Sequence, residues 1–275
     1  MATTAFIGGG NMAGAILGGL RRAGRDGATM LVVEPDAGRR EALASAFGVA
    51  TLGAASEALK AAEIVVWAVK PQLFREAADA AARYVGSALQ LSVMAGIRSE
   101  AIVRATSTER VVRAMPNTPA LVLSGITGLY ADEDVGAADR QTAEEVLGVA
   151  GATLWVDTEA DIDAITAVSG SGPAYVFYFL EALESAARKL GFDDKAARQL
   201  ALETFSGAVR LAGESTVDFA TLRARVTSKG GTTERALGMF EQAQVRAAIE
   251  RAVQGAAERS REMADELGAD EPGSN

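Results

Sequence analysis

Up to about residue 158 the chain alternates short apolar runs with stretches in which apolar residues recur every three or four positions. The runs predict strands at Ala5–Ile7, Met30–Val33, Ile64–Val69, Ala88–Val93, Val111–Ala114, Ile126–Tyr130 and Thr153–Val156. The helical period predicts helices between them at Met12–Ala23, Arg39–Phe47, Phe74–Tyr84, Ser99–Ala105 and Ala138–Leu147. Strands and helices that take turns in this way imply parallel strands joined by helical crossovers, an α/β Rossmann-type doubly wound sheet. In AVKPQ, Ala68–Gln72, a proline stops the strand and starts a loop.

From Ile162 onward the strand signals cease. Helical patterns follow at Pro173–Leu190, Lys195–Leu211, Phe219–Arg225, Glu234–Phe240 and Val245–Leu267. The expected organisation is therefore a dinucleotide-binding domain over 1–158, an all-α domain over 159–265 with the boundary near VDTEAD, and a polar, frayed tail over 266–275. PAYVFYFLEAL is apolar almost all round its helix, so it must be buried on every side. A small helical domain rarely achieves that alone. A subunit interface, a homodimer through the helical domain, is the expectation.

FIGGGNMAGAI follows the first strand and opens a helix, and Gly8-x-Gly10-x-x-Ala13 fits the dinucleotide fingerprint in its alanine form. Gly8 permits the tight turn, Gly10 lets backbone approach a pyrophosphate, and Ala13 allows close helix–strand packing. The helix N-terminus at Asn11 and Met12 offers unpaired N–H groups to phosphate. Glu34, closing the second strand, stands where the fingerprint places an acidic residue for the ribose diol, and it would repel a 2′-phosphate. Arg39 and Arg40, just downstream, suit that phosphate instead. NADH and NADPH both remain open, with a lean to NADH from Glu34. Other loops at strand ends carry Ala68, Val69 and Lys70, then Ala95 and Gly96, then Asn117 within MPNTP. Lys70 is either a cofactor contact or a solvated charge. Asn117, between two prolines, either holds its amide toward a nicotinamide or ribose or closes an Asx turn.

Composition narrows the chemistry. The apolar share of 49% supports a substantial core, and the net charge of −9 argues against a general binder of nucleic acid or anionic membrane. No apolar run is long enough to span a bilayer, and no signal peptide is visible ahead of TTAFIGGG, so a cytoplasmic protein is expected. There is no cysteine and no histidine, which leaves no thiolate nucleophile, no disulfide and no ordinary zinc site, so no metal is expected. An enzyme of this composition must move protons without imidazole.

VTSKGGTTERAL, Val226–Leu237, raises that question most sharply. Two adjacent glycines in a helical region cost about 1 kcal/mol each relative to alanine, and here four hydroxyls and a lysine surround them. Upstream, SGSGPAY reads as a helix entry, with Ser171 or Gly172 at the cap and Pro173 in the first turn. Tyr175 sits among Val176, Phe177, Tyr178 and Phe179, a setting for packing more than for acid catalysis.

Together, FIGGGNMAGAI, AVKPQ, MPNTP, SGSGPAY and VTSKGGTT resemble the pyrroline-5-carboxylate reductase family, from Phe6 to about Met263 and in that family's order. The resemblance implies reduction of the cyclic imine 1-pyrroline-5-carboxylate to L-proline by NADPH or NADH, the last step of proline synthesis. It also implies a Rossmann domain with a helical dimerisation domain, an active site where two subunits meet, and in many members a pentamer of dimers. Ser228 and Thr232, with Lys229, Gly230 and Gly231, then become the grip on the substrate carboxylate, a backbone nest ahead of a helix. Thr233 becomes the donor to the imine nitrogen, which is basic enough to take its own proton from water. Capping of the helix by Thr232 or Thr233 is the competing reading. The chain departs from the family's pattern at Lys229, where many relatives have proline. It departs at Glu34, where NADPH-preferring relatives carry a small hydroxyl residue. It departs again at Ala55, where some place an asparagine near the adenosine; Ser56 is the expected substitute. A hydroxyacid-dehydrogenase-like reading is disfavoured because Lys189 and Lys195 sit in a charged helix junction. A cofactor-binding sensor would have no use for SKGGTT.

Overall fold

In a computed structural model, which describes residues 3–269, eight strands form one sheet in the order β3-β2-β1-β4-β5-β6-β7-β8. They are β1 Thr4–Ile7, β2 Met30–Val33, β3 Ala50–Leu52, β4 Ile64–Trp67, β5 Leu89–Ser92, β6 Val111–Met115, β7 Gly125–Ala131 and β8 Gly151–Trp155. The helices between them are α1 Asn11–Arg22, α2 Ala37–Phe47, α3 Phe74–Val85, α4 Ser99–Thr106 and α5 Ala137–Leu147. Both faces of the sheet are covered, so successive strand residues feed opposite cores. Phe6, Ile64 and Val66 pack with Ile16, Leu17 and Leu20 of α1 and with Val146 of α5. Ala5, Ile7, Val65 and Trp67 pack on the other side with Phe74, Ala78 and Val85 of α3 and Ile102 of α4. That two-sided burial makes the strands read as unbroken apolar runs.

Parallel pairing holds from β3 to β6 and again between β7 and β8, but β6 and β7 are antiparallel, with Met115 opposite Gly128. The segment joining them, Pro116–Ser124, contains only the short helical turn Thr118–Val122. A parallel crossover needs a dozen or more residues, so the chain doubles back instead. β3 escaped the sequence reading because a three-residue edge strand is too short to show a pattern.

The chain divides into two compact units. One comprises the residues up to Ser171 together with those from Ala256 on; the other is Gly172–Gly255. The first unit extends past 158 because α6, Asp161–Ile165, and the π turn Thr166–Gly170 belong to it, with Ile162, Asp163 and Ala167 buried. The second unit holds α7 Gly172–Lys189, α8 Asp194–Gly213, α9 Phe219–Arg225, α10 Thr232–Gln242 and the first part of α11, Val245–Ala269. α11 is helical through Ala269, and Leu267 packs on the core beneath α3 and α4; residues 270–275 lie outside the described part. Among the described residues no helix is long and apolar enough to cross a membrane.

Candidate active site

β1 and β4 are neighbours whose onward connections run to opposite sides of the sheet, which makes the gap beyond their carboxyl ends the switch point where open α/β sheets bind ligands. A cleft of about 730 Å³ opens there. Of the residues expected to hold the cofactor, Gly8, Gly10, Asn11, Met12, Glu34, Ala68, Val69 and Lys70 line it. Gly8 has φ +99°, and a Cβ there would lie 2.7 Å from the carbonyl oxygen of Ala68, so no other residue fits between the two strand ends. Gly10 caps α1 without any side-chain bond, and the first turn of α1 holds no acidic residue. The amides at Asn11 and Met12 therefore face the cleft as an open anion site, which suits a dinucleotide pyrophosphate.

Glu34 is buried, at 7% exposure. Its carboxylate accepts from the Gly9 N–H (Oε2, 2.9 Å) and from the Asp36 N–H (Oε1, 3.0 Å). The Arg40 guanidinium donates to the carbonyl oxygens of Glu34 and Pro35, at 2.8 and 2.7 Å, whereas Arg39 lies exposed on the cleft wall. Wall residues that the motif did not point to come from the loop before the turn at Glu57 (Gly53, Ala54) and from α3 (Ala77, Ala80). Small residues opposite a fingerprint loop carry no signal in sequence.

Four expected cofactor contacts are not on this wall. Ser56 caps the helical turn Glu57–Ala61, accepting from the Ala58 N–H at 3.4 Å, and Ala55 lines the cleft beside it. Gly96, at φ +74°, lies under α11, where a Cβ would meet Leu267 Cδ1 at 3.0 Å; Ala95 precedes it. The Asn117 side chain forms neither an Asx turn nor a free donor. Its Nδ2 donates to the Ser169 carbonyl oxygen (3.1 Å) and its Oδ1 accepts from the Ile126 N–H (3.0 Å), clamping MPNTP to the π turn. Nearby, the Arg113 guanidinium is buried at 3% exposure and donates to Glu159 Oε1 at 3.0 Å. The same oxygen accepts the Ser99 N–H at 2.6 Å. Burial opposes ionisation of Glu159, but the Ser99 amide and Arg113 outweigh it and hold its carboxyl below the usual range. Asp163 accepts from the Ser260 hydroxyl of α11 at 2.7 Å. This brace escaped sequence reasoning because its members are far apart in the chain.

In the helical unit, SKGGTT turns from α9 into α10. Gly230 adopts φ +73°, which favours glycine, and a Cβ on Gly231 would sit 2.5 Å from Ser228 Oγ, so a side chain there would displace the serine hydroxyl. Their amides are already engaged: Gly231 N–H donates to the Ser228 carbonyl oxygen at 3.0 Å, and Gly230 N–H to Glu234 Oε2 at 2.7 Å. Gly231, with no side-chain bond, caps α10. Thr232 and Thr233 occupy its first two positions, so neither of them is the cap. The hydroxyls of Ser228, Thr232 and Thr233 make no hydrogen bond among the described residues, and the loop around them is exposed to half-buried. What it offers an anion is three hydroxyls, the open amides at the start of α10, and the charge of Lys229.

Residues 159–263 match the family model described as pyrroline-5-carboxylate reductase dimerisation, and residues 3–96 match the one described as NADP oxidoreductase, coenzyme F420-dependent. The chain is 42% identical to a pyrroline-5-carboxylate reductase of Pseudomonas aeruginosa, over 96% of this chain and 97% of that protein. Among solved structures it is similar to a pyrroline-5-carboxylate reductase from Coxiella burnetii, with a TM-score of 0.89 and 35% identity over 95% of this chain and 98% of that one. It is also similar to the pyrroline carboxylate reductase of Plasmodium falciparum with NADP bound, with a TM-score of 0.84 and 26% identity over 96% and 98% of the two chains.

Proposed function

We propose a mechanism from one premise: the chain belongs to the pyrroline-5-carboxylate reductase family and reduces 1-pyrroline-5-carboxylate to L-proline with hydride from NAD(P)H. Gly8, Gly10 and the first amides of α1 would hold NAD(P)H in the cleft, where it would supply a hydride to the C=N carbon. Everything else falls to the chain's own groups. Gly8 keeps the strand ends close, and the open end of α1 carries the pyrophosphate. The substrate carboxylate is held by the Ser228 and Thr232 hydroxyls and the first amides of α10, with Lys229 adding positive potential; hydrogen bonds to a charged group contribute about 1.5–3 kcal/mol each. The Thr233 hydroxyl donates to the neutral imine nitrogen, and the proton that nitrogen takes up as carbon accepts the hydride is replaced at the hydroxyl from water. A nitrogen already protonated by water donates to the Thr233 hydroxyl oxygen instead. No imidazole is needed.

The observation that carries this reading is the start of α10, where the cap residue Gly231 supplies no side-chain bond and three unpaired hydroxyls lie beside it. In the same reading the helical unit pairs with that of a second copy, five such dimers assemble, and the protein works in the cytoplasm. Exposed Phe177, Tyr178, Val209 and Leu211 on α7 and α8 support the pairing.

Incubating the protein with NADH or NADPH and racemic pyrroline-5-carboxylate should lower the reduced-nicotinamide absorbance while proline forms in equal amount. Thr233→Ala and Thr233→Val should then lower kcat by about 10²–10⁴ with little change in thermal stability. Loss of stability with kcat intact would reduce Thr233 to a structural residue.

A further inference from the structure

We infer that Glu34 selects the coenzyme, and that it selects the one without a 2′-phosphate, NADH over NADPH. The inference rests on the cleft holding a nicotinamide dinucleotide. In such a cleft the adenosine ribose lies at the end of the second strand, and β2 ends at Val33, the residue before Glu34. A carboxylate on a flexible surface side chain could swing aside for a phosphate. This one is pinned. It accepts the Gly9 and Asp36 amides at 2.9 and 3.0 Å, and it is 7% exposed. A Cβ on Gly9 would fall 3.1 and 3.2 Å from Glu34 Cβ and Cγ, so the stem is pressed against the phosphate loop. Moving it would break two charge-assisted hydrogen bonds, one of them to the loop that approaches the pyrophosphate.

Each carboxylate oxygen accepts one backbone amide and keeps a further lone pair for a ribose hydroxyl. A 2′-phosphate would instead bring close to two more negative charges beside a buried one. The nearest cations do not reverse this. Arg40 is drawn onto the Glu34 and Pro35 carbonyl oxygens. Arg39 is exposed on the wall, where its attraction is screened more than the repulsion from a buried carboxylate. The discrimination is thus a repulsive element built into the β2 end.

The test uses ADP-ribose and 2′-phospho-ADP-ribose, which lack nicotinamide, titrated calorimetrically into the full-length wild type and into Glu34→Gln and Glu34→Ser. The wild type should bind ADP-ribose tighter by about tenfold or more, and in both variants the ratio should fall to unity or invert. Equal or tighter wild-type binding of the 2′-phosphorylated ligand overturns the inference. So does a preference for ADP-ribose that persists in folded Glu34→Gln, because the charge would then be irrelevant. Neither ligand undergoes reduction, so a protein inactive on pyrroline-5-carboxylate would sink the catalytic reading without touching this result. The reverse holds as well.

Discussion

Around the sheet, side chains as large as Trp67, Phe6, Leu17 and Leu91 are fully buried within one chain. In the helical unit the buried hydrophobics are Ala187, Ala197 and Ala201, while Phe177, Tyr178, Val209 and Phe219 keep 64%, 71%, 68% and 79% of their surface exposed. Completely burying one aliphatic or aromatic side chain contributes about 1.5–3 kcal/mol. The sheet-bearing unit collects that stabilisation from its own sequence. The helical unit keeps α7 and α8 together through alanines and leaves its large side chains for a second copy. Two halves of one polypeptide therefore have different sources of stability, one internal and one dependent on protein concentration.

The largest test of this contrast is Phe177→Asp. Each uncompensated charge in a closed interface costs about 3–5 kcal/mol, and a symmetric dimer would bury two. Size exclusion with light scattering should show a smaller species with lost reductase activity, while the sheet unit stays folded. A variant that assembles as the wild type does would place the interface elsewhere. Next comes Leu17→Ala in α1, a cavity beside the sheet, expected to cost about 2–5 kcal/mol in denaturant unfolding with the oligomer unchanged. A dissociated oligomer would show that the two sources of stability are coupled.

The smallest effect separates the brace from the core around it. Glu159 has a folded-state pKa below its unfolded value, so its contribution is present above about pH 4.3 and is lost as pH falls through the folded pKa. Glu159→Gln should lower stability by about 1.5–3 kcal/mol at pH 7. The gap in Tm between variant and wild type should narrow as the solution is acidified below the unfolded value. A gap that stays constant down to pH 3 would mean that the Arg113 contact adds nothing.

Elements of this chain differ in how plainly their sequence declares them, for physical reasons. Buried parallel strands such as Ile64–Trp67 are visible because both faces are apolar, and α1 through α5 follow from their period. The reversal at β7 is not a matter of pattern but of connection length, and counting Pro116–Ser124 would have found it. Gly8 is legible because the tight turn between two strand ends demands it locally. The partners of Asn117 and Glu34 are not, since an amide or carboxylate names no acceptor or donor until the chain brings Ser169 or Gly9 to it. The glycine pair at 230–231 suggests a source of amides in the sequence, but in the structure both amides are engaged, by Glu234 and by the Ser228 carbonyl oxygen.

Because residues from Ala256 on return to the sheet unit, the helical unit is an insertion rather than an appendage. A gene cut after Ser171 would not release a self-sufficient dinucleotide module. It would discard Ser260, Ala264 and Leu267, strip Asp163 of its hydroxyl partner and uncover Gly96. Anyone wishing to express the cofactor half alone must splice across 172–255 instead, joining Ser171 to Ala256 with a linker.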